Sequence, residues 1–188
     1  MIGKILVPLD GSDQGEAILS YVATLARGLD APVLLLSVLD RGSLGIGRSS
    51  YSKLYETAEA GARNRLREVA QRLAQEGVET EEAFAAGKSA KEIIASADEE
   101  GCGLIAMSTH GRNAFARGLL GSVTDEVVHS SHVPVLAITP ERAKTYRGRD
   151  STITKVMVPL DGSPLAETVL VCLGIHFAGL LGGFAIGY

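Results

Sequence analysis

A glycine-punctuated segment in the middle of the chain carries the residue types best suited to bind a phosphate. It runs from Ser108 to Ser122, after the apolar run Leu104–Met107 and ahead of a helix-like stretch from about Val123. A loop between a strand and a helix N-terminus can place backbone N–H groups and the positive end of the helix dipole around an anion. We therefore predict that the chain binds a nucleotide.

Individual residues of this loop suit different parts of that task. Gly111 and Gly121 let the backbone approach a ligand closely, and Ser122 could cap the following helix or donate its hydroxyl to a phosphate. His110 and Arg112 could face anionic oxygens, with Arg112 the stronger candidate. The alternative interpretation is an ordinary loop and helix cap with solvated charged side chains.

Short apolar runs alternate with amphipathic stretches over residues 1–140. Four nearly continuous runs are typical of strands covered on both faces, and a weaker one is typical of an edge strand. These runs are, with the weaker one last, Ile5–Val7, Val33–Val38, Leu104–Met107, Val133–Ile138 and Val78–Ala85. The alternation predicts an α/β fold with a doubly wound five-stranded parallel sheet of order 3-2-1-4-5 and helices on both faces.

Capping residues mark the expected helix ends. Ser12 should cap one helix that continues to Leu29, and Ser89 with Glu92 has the spacing of a capping box. Gly77 should lie just beyond the C-terminus of the long second helix.

The predicted strand order brings two distant segments to one edge of the sheet. Ligands of open α/β sheets bind outside the carboxyl ends of the strands where the strand order reverses, here between strands one and four. Strand one ends at Pro8-Leu9-Asp10, and strand four ends at the glycine loop. The Asp10 carboxylate could accept hydrogen bonds from a ribose hydroxyl or an adenine amine, or it could close an Asx turn before the helix.

Composition and missing motifs narrow the function classes. A net charge of −4 with only 18 Lys and Arg disfavours nucleic-acid binding. Cys102 and Cys172 have neither disulfide-framework nor zinc-site spacing, and no secretion signal is visible, so we expect a reducing, cytoplasmic environment. Phosphate-loop, nucleophile-elbow and metal-cluster patterns are absent from the sequence, which favours binding over catalysis. The sequence leaves slow ATP hydrolysis as a further possibility, with no residue assigned as its base.

The motifs together resemble those of the universal stress protein family over residues 1–140. The resemblance is carried by Val7–Ser12, Val38–Asp40, Met107–Arg112 and Gly121–Val123, with nine residues between Gly111 and Gly121. It implies an ATP-binding stress-response regulator, with or without Mg²⁺, that forms a homodimer through Val133–Ile138. The residues it implies around adenine and ribose are Pro8, Leu9, Asp10 and the backbone of Val38, and those around the phosphates are His110, Gly111, Gly121, Ser122 and Val123.

The sequence departs from the family pattern at Ser108, where the first loop glycine is usual, and at Ala114. We keep Ser108 in the candidate site, although a left-handed backbone there would cost a non-glycine residue about 1 kcal/mol. These departures favour the alternative function, a stress-protein dimerisation or interaction module without nucleotide.

A second feature is an internal repeat. Lys155–Ser163 restates Lys4–Ser12 at an offset of 151 residues. This predicts a tandem chain with a domain over 1–140, a polar linker over 141–153, and a partial second copy over 154–188 that holds the first strand and helix only. The last stretch, Val169–Tyr188, lacks charged residues apart from the terminus, but its five glycines favour a diverged second domain over a membrane segment.

Overall fold

A computed structural model describes residues 2–40, 51–109 and 120–146, without the side chains of 51, 52, 54 and 144–146. Strands and helices alternate along these ranges. The elements are β1 (Ile5–Pro8), α1 (Asp13–Glu16), α2 (Leu19–Leu29), β2 (Val33–Leu39), α3 (Tyr51–Gln75), β3 (Thr80–Ala86), α4 (Ser89–Glu99), β4 (Leu104–Ser108), α5 (Ser122–Ser130), β5 (Val135–Ile138) and α6 (Pro140–Tyr146).

The strands form one parallel sheet in the order β3-β2-β1-β4-β5. This confirms the predicted strand order, with β1 at the centre and β3 and β5 at the edges. Each crossover between parallel strands contains a helix, as such connections require. The strand order reverses between β1 and β4, because the chain builds outward from β1 first on one side and then on the other.

Side chains of the strands alternate between the two faces of the sheet and build two cores. The core against α2 and α3 includes Ile5, Val7, Leu9, Ile18, Val22, Val33, Leu35, Leu66, Val69 and Leu73. The core against α4 and α5 includes Leu6, Leu34, Leu36, Ala90, Ile93, Ile105, Met107 and Val127. Helices therefore cover both faces, as predicted.

The predictions for two helices need correction, one in the length of the helix and one in its cap. Ser12 does cap a helix, because its hydroxyl accepts the Gly15 N–H at 3.0 Å, but that helix ends at Glu16 and α2 begins separately at Leu19. Ala17 and Ile18, which lie between the two helices, keep right-handed helical dihedral angles, so α2 continues in the direction of α1 after a local interruption. The capping box at Ser89 is wrong, since Lys88 is the N-cap of α4 and Ser89 already lies in the helix. The Glu92 side chain instead lies against Gly87.

The end of α3 follows the prediction for Gly77. This glycine has φ +77°, and its N–H donates to the Ala74 carbonyl at 3.0 Å, while the Val78 N–H donates to the Leu73 carbonyl at 3.0 Å. This pair of bonds is the Schellman arrangement, and the accompanying apolar pair, Leu73 and Val78, is buried.

Part of the segment predicted as a linker is helical. Helix α6 packs against α2, and its Ala143 is buried. The predicted second copy lies outside the described residues, as does the apolar stretch at its end, so the domain division stays a prediction. In the part of the chain that the structure describes, no helix combines the length and apolar character needed to span a membrane.

Two glycines, one inside α3 and one just beyond its end, should respond to substitution with opposite changes in the free energy of unfolding. Gly77→Ala forces a side chain into the left-handed region and should destabilise the protein by about 1 kcal/mol. Gly61 lies inside α3 with open space around its Cα, so Gly61→Ala should stabilise by about 0.5–1 kcal/mol. Urea unfolding midpoints of the two variants should move in opposite directions. A Gly77→Ala variant as stable as the wild type would contradict the cap assignment.

Candidate functional site

The backbone pairing of β1 with β4 ends earlier than its pairing with β2. Among the described residues, β1 pairs with β4 at Ile5↔Leu104 and Leu6↔Ile105, and the pairing stops there. Its pairing with β2 continues to Pro8↔Leu36. The candidate cleft lies at the ends of these two central strands, where the strand order reverses.

Proline explains why the pairing stops. The N–H groups of Ile5 and Leu9 donate to carbonyls on the β2 side, at 3.0 and 2.8 Å. In a parallel strand the backbone groups of alternate residues point to opposite neighbours, so Pro8 faces β4. Proline has no N–H to donate, and β1 therefore cannot continue its ladder with β4.

A hydrogen-bonded turn fixes Asp10 at one side of this cleft. The Asp10 Oδ1 atom accepts the Ser12 N–H at 2.9 Å and the Ser12 hydroxyl at 2.6 Å. The predicted Asx turn is thus present. Asp10 is exposed, so the turn presents its carboxylate to solvent at the end of β1. Whether that carboxylate also contacts a nucleotide is a separate question, since a carboxylate accepts several hydrogen bonds at once.

Gly15 allows α1 to pack closely against this turn. A Cβ atom at Gly15 would lie 2.6 Å from Asp10 Oδ1 and 3.3 Å from the Ser12 hydroxyl oxygen. Any larger residue would displace the Asp10 carboxylate or the helix. Sequence reasoning missed Gly15, although a glycine three residues after an N-cap serine is a visible signal of a close approach.

Three hydrogen bonds hold the ends of the loop on the other side of the candidate cleft: one joins its start to β5, and two join its start to the beginning of α5. The Thr109 N–H donates to the Ile138 carbonyl at 3.0 Å, and the Thr109 carbonyl accepts the Gly121 N–H at 2.8 Å. The Thr124 hydroxyl donates to the Ser108 carbonyl at 3.1 Å and is buried. Residues 110–119 themselves, with the predicted site residues His110, Gly111 and Arg112, lie outside the described residues. The bonds nevertheless fix where that loop leaves β4 and where it rejoins α5.

Ser108 is not strained at this position. In the described residues, Asp30 is the one non-glycine residue with a positive φ, so Ser108 has ordinary strand geometry. It pairs with Ile138 of β5 and is buried. The cost expected from a left-handed serine is therefore absent.

The start of α5 differs from the prediction. Gly121 is the N-cap and makes no side-chain capping bond, so Ser122 is the first helical residue and not the cap. The first N–H groups of a helix have no acceptor inside the helix, and a glycine cap supplies none. Ser122 is exposed and Val123 is half-buried against the second core. The N–H groups of the first turn and the Ser122 hydroxyl thus stand together near the end of β4.

The remaining predicted residues lie around the β1 side of the cleft. The Leu9 side chain is buried in the core, and its N–H is bonded to Leu36, so it supports the cleft from below. Pro8 is half-buried, and Val38 lies near the end of β2, where it pairs with Ala85. The structure therefore brings together the β1 residues, Val38, Ser108 and the start of α5 at one edge of the sheet.

Two further observations concern a cysteine thiol and metal-binding side chains in the described residues. Burial raises the pKa of the Cys102 thiol to about 11, so it is protonated at neutral pH and a poor nucleophile. The described ranges contain no group of three or more His, Cys, Asp or Glu side chains that could hold a metal ion.

A family model, a similar sequence and a solved structure all match the first three quarters of the chain to the same family. The model of the universal stress protein family matches residues 1–139. Universal stress protein MJ0577 of Methanocaldococcus jannaschii is 31% identical over 154 residues, which cover 73% of this chain and 95% of that protein. A solved structure of MJ0577 has a TM-score of 0.63 at 27% identity, over 74% of this chain and 96% of its own.

Two further proteins add to this comparison. The structure of the universal stress protein from Archaeoglobus fulgidus in complex with dAMP has a TM-score of 0.55 at 27% identity, over 74% of this chain and all of its own (100%). Universal stress protein Rv2005c of Mycobacterium tuberculosis is 26% identical over 171 residues, which cover 87% of this chain and 56% of that protein.

The buried bond from Thr124 to Ser108 should stabilise the base of the loop. Thr124→Val keeps the shape of the side chain but leaves the Ser108 carbonyl without this donor, at a cost of about 1–2 kcal/mol. Thr57→Val is the matched control, because its hydroxyl bonds the Lys53 carbonyl at 2.8 Å on an exposed helix face. Thr124→Val should lower the unfolding free energy more than Thr57→Val and should speed amide exchange at Gly121. Equal costs for the two variants would contradict this role.

Proposed function

Because the chain belongs to the universal stress protein family, we propose that it is a cytoplasmic ATP-binding regulator of the stress response. The nucleotide would lie in the cleft between the end of β1 and the loop that follows β4. One observation carries this proposal: the pairing of β1 with β4 ends at Leu6↔Ile105 where the strand order reverses, and an exposed carboxylate and a helix start without a side-chain cap lie at this edge of the sheet. The dAMP bound by the Archaeoglobus fulgidus protein supports an adenine nucleotide as the ligand class.

The β1 side of the cleft would bind adenine and ribose. Asp10 is exposed and held by its turn, so its carboxylate can accept a hydrogen bond from a ribose hydroxyl without reorganising. Pro8 and the backbones of Leu9 and Val38 would border the base, because they lie at the ends of the two strands beside the cleft.

The β4 side would bind the phosphates. The first-turn N–H groups of Ser122 and Val123, together with the Ser122 hydroxyl, are donors at the positive end of a helix dipole. His110, Gly111 and Arg112 would complete the site from the loop. Any Mg²⁺ would be held mainly by the phosphates of ATP and by water, which is its usual coordination beside nucleotides.

Calorimetric titration with ATP tests the proposal, and Asp10 offers the sharpest variants. Asp10→Ala removes both the turn and the carboxylate and should weaken ATP binding by about fivefold or more. Asp10→Asn keeps an oxygen that accepts the Ser12 N–H but loses the charge. If Asp10 contacts the ribose directly, the Asn variant also binds ATP more weakly. If Asp10 acts through the turn alone, the Asn variant keeps the wild-type affinity.

Asp98→Ala serves as the control for these variants. The Asp98 side chain is exposed near the C-terminus of α4, at the edge of the sheet opposite the candidate site, so this variant should leave ATP affinity unchanged. Unchanged affinity in Asp10→Ala would remove Asp10 from the site. A wild-type protein that is purified without nucleotide and shows no ATP binding would contradict the proposal and favour the interaction module.

The proposal assigns binding and not efficient turnover to this site. Gly121→Val places a branched side chain at the start of α5 and should reduce ATP binding. Any ADP release that belongs to the site should fall with it. Equal ADP release from wild type and Gly121→Val would assign the activity to another source.

We further propose a homodimer through Val133–Ile138 and a tandem ancestry for the chain. Strand β5 lies at an edge of the sheet and its residues are half-buried, as expected for a strand that another chain can join. The match to Rv2005c extends over more of this chain than the family domain, and the chain spans about half of that protein. Equilibrium sedimentation should give twice the chain mass of 19.7 kDa. A single species of monomer mass at micromolar concentration would contradict the dimer.

A further inference from the structure

Glu16 joins the short helix α1 to the long helix α3. Its Oε1 atom accepts a hydrogen bond from Arg65 Nε at 2.9 Å, and its Oε2 atom accepts one from an Arg72 guanidinium N–H. The Glu16 side chain is 12% exposed, whereas those of Arg65 and Arg72 are 46% and 55% exposed. The carboxylate is therefore the sheltered partner, held by two arginines that lie two turns apart on α3.

The charges around Glu16 favour its ionised form. Partial burial by itself raises the pKa of Glu16, but the hydrogen bonds and charges of Arg72 and Arg65 outweigh this, and the pKa lies below its ordinary value. Asp13 also approaches Arg65, at 3.5 Å. Glu68 of α3 lines the same surface groove as Glu16 and Arg65, and it adds a negative charge near Arg65. Glu16 thus remains a charged anchor at neutral pH.

This anchor is connected to the turn at the end of β1. Helix α1 has four residues, too few to be stable without contacts to the rest of the protein. Its cap, Ser12, donates to Asp10, and its Gly15 has room for no side-chain atom against the Asp10 carboxylate. The position of α1 and the position of Asp10 are therefore coupled.

We propose that Glu16 is a positioning residue, which holds α1 on α3 through Arg65 and Arg72 and so keeps the Asp10–Ser12 turn in the geometry that receives the nucleotide. This inference rests on the proposed function. Among the described residues, the Glu16 side chain bonds Arg65 and Arg72 of α3, so its effect on nucleotide binding would be indirect, through α1.

Variants Glu16→Gln, Arg72→Gln and the double variant test this role. Glu16→Gln keeps the size of the side chain and removes its charge, and should weaken ATP binding by about threefold to tenfold. Because both residues act through the same contact, the double variant should bind ATP little more weakly than Glu16→Gln. The matched control is Glu81→Gln, which breaks a 2.8 Å ion pair with Lys4 elsewhere on the surface and should leave ATP affinity unchanged.

Amide exchange in the nucleotide-free protein separates this inference from the proposed function. The Ser12 and Gly15 N–H groups donate within the turn and cap, so Glu16→Gln should speed their exchange while Glu81→Gln should not. Faster exchange in a protein that binds no ATP would support the positioning role and contradict the proposed function. Unchanged exchange and unchanged ATP affinity in Glu16→Gln would overturn the positioning role. Strictly additive losses of affinity in the double variant would also overturn it.

Discussion

The architecture of the candidate site depends on one missing hydrogen-bond donor. Pro8 occupies the position on β1 whose backbone faces β4, and it cannot donate there. The ladder with β2 continues at Leu9, whose N–H donates to the Leu36 carbonyl at 2.8 Å, whereas the ladder with β4 ends at Leu6↔Ile105. The strand order reverses at this place, and the proline at the end of β1 ends the hydrogen bonding between the two strands there.

The walls of the cleft are held in different ways. On the β1 side, a turn, a cap and a glycine place Asp10, and each contact is local in sequence. On the β4 side, long-range bonds to the Ile138 and Ser108 carbonyls hold the ends of a loop whose residues 110–119 lie between them. A ligand could therefore meet a fixed carboxylate and a fixed helix start, and pre-formed groups of this kind lower the entropic cost of binding.

The sequence was sufficient for the sheet order, because that order follows from the alternation of apolar runs and from topology. It was insufficient for local helix ends. Ser89 and Ser122 have good capping side chains, yet Lys88 and Gly121, both in extended conformation, are the caps, because the residue at which the backbone turns into a helix is not set by side-chain capping preference alone. The concern about Ser108 arose from a family pattern, and its strand geometry depends on pairing with β5, which no local signal reports.

The ion pairs at the surface contribute less to the stability of the fold than the buried contacts of the two cores. Exposed pairs contribute about 0–1 kcal/mol to stability, far less than the burial of side chains such as Ile18 and Leu73. The contacts of Glu16 with α3 add less to the stability of the fold than the two cores do, because both arginine partners are about half exposed. They act on geometry instead, because they hold α1 against α3 in addition to its contacts with β4, and the residues that α1 orients lie at the edge of the candidate cleft. A modest interaction can thus matter more for where Asp10 lies than for whether the protein folds.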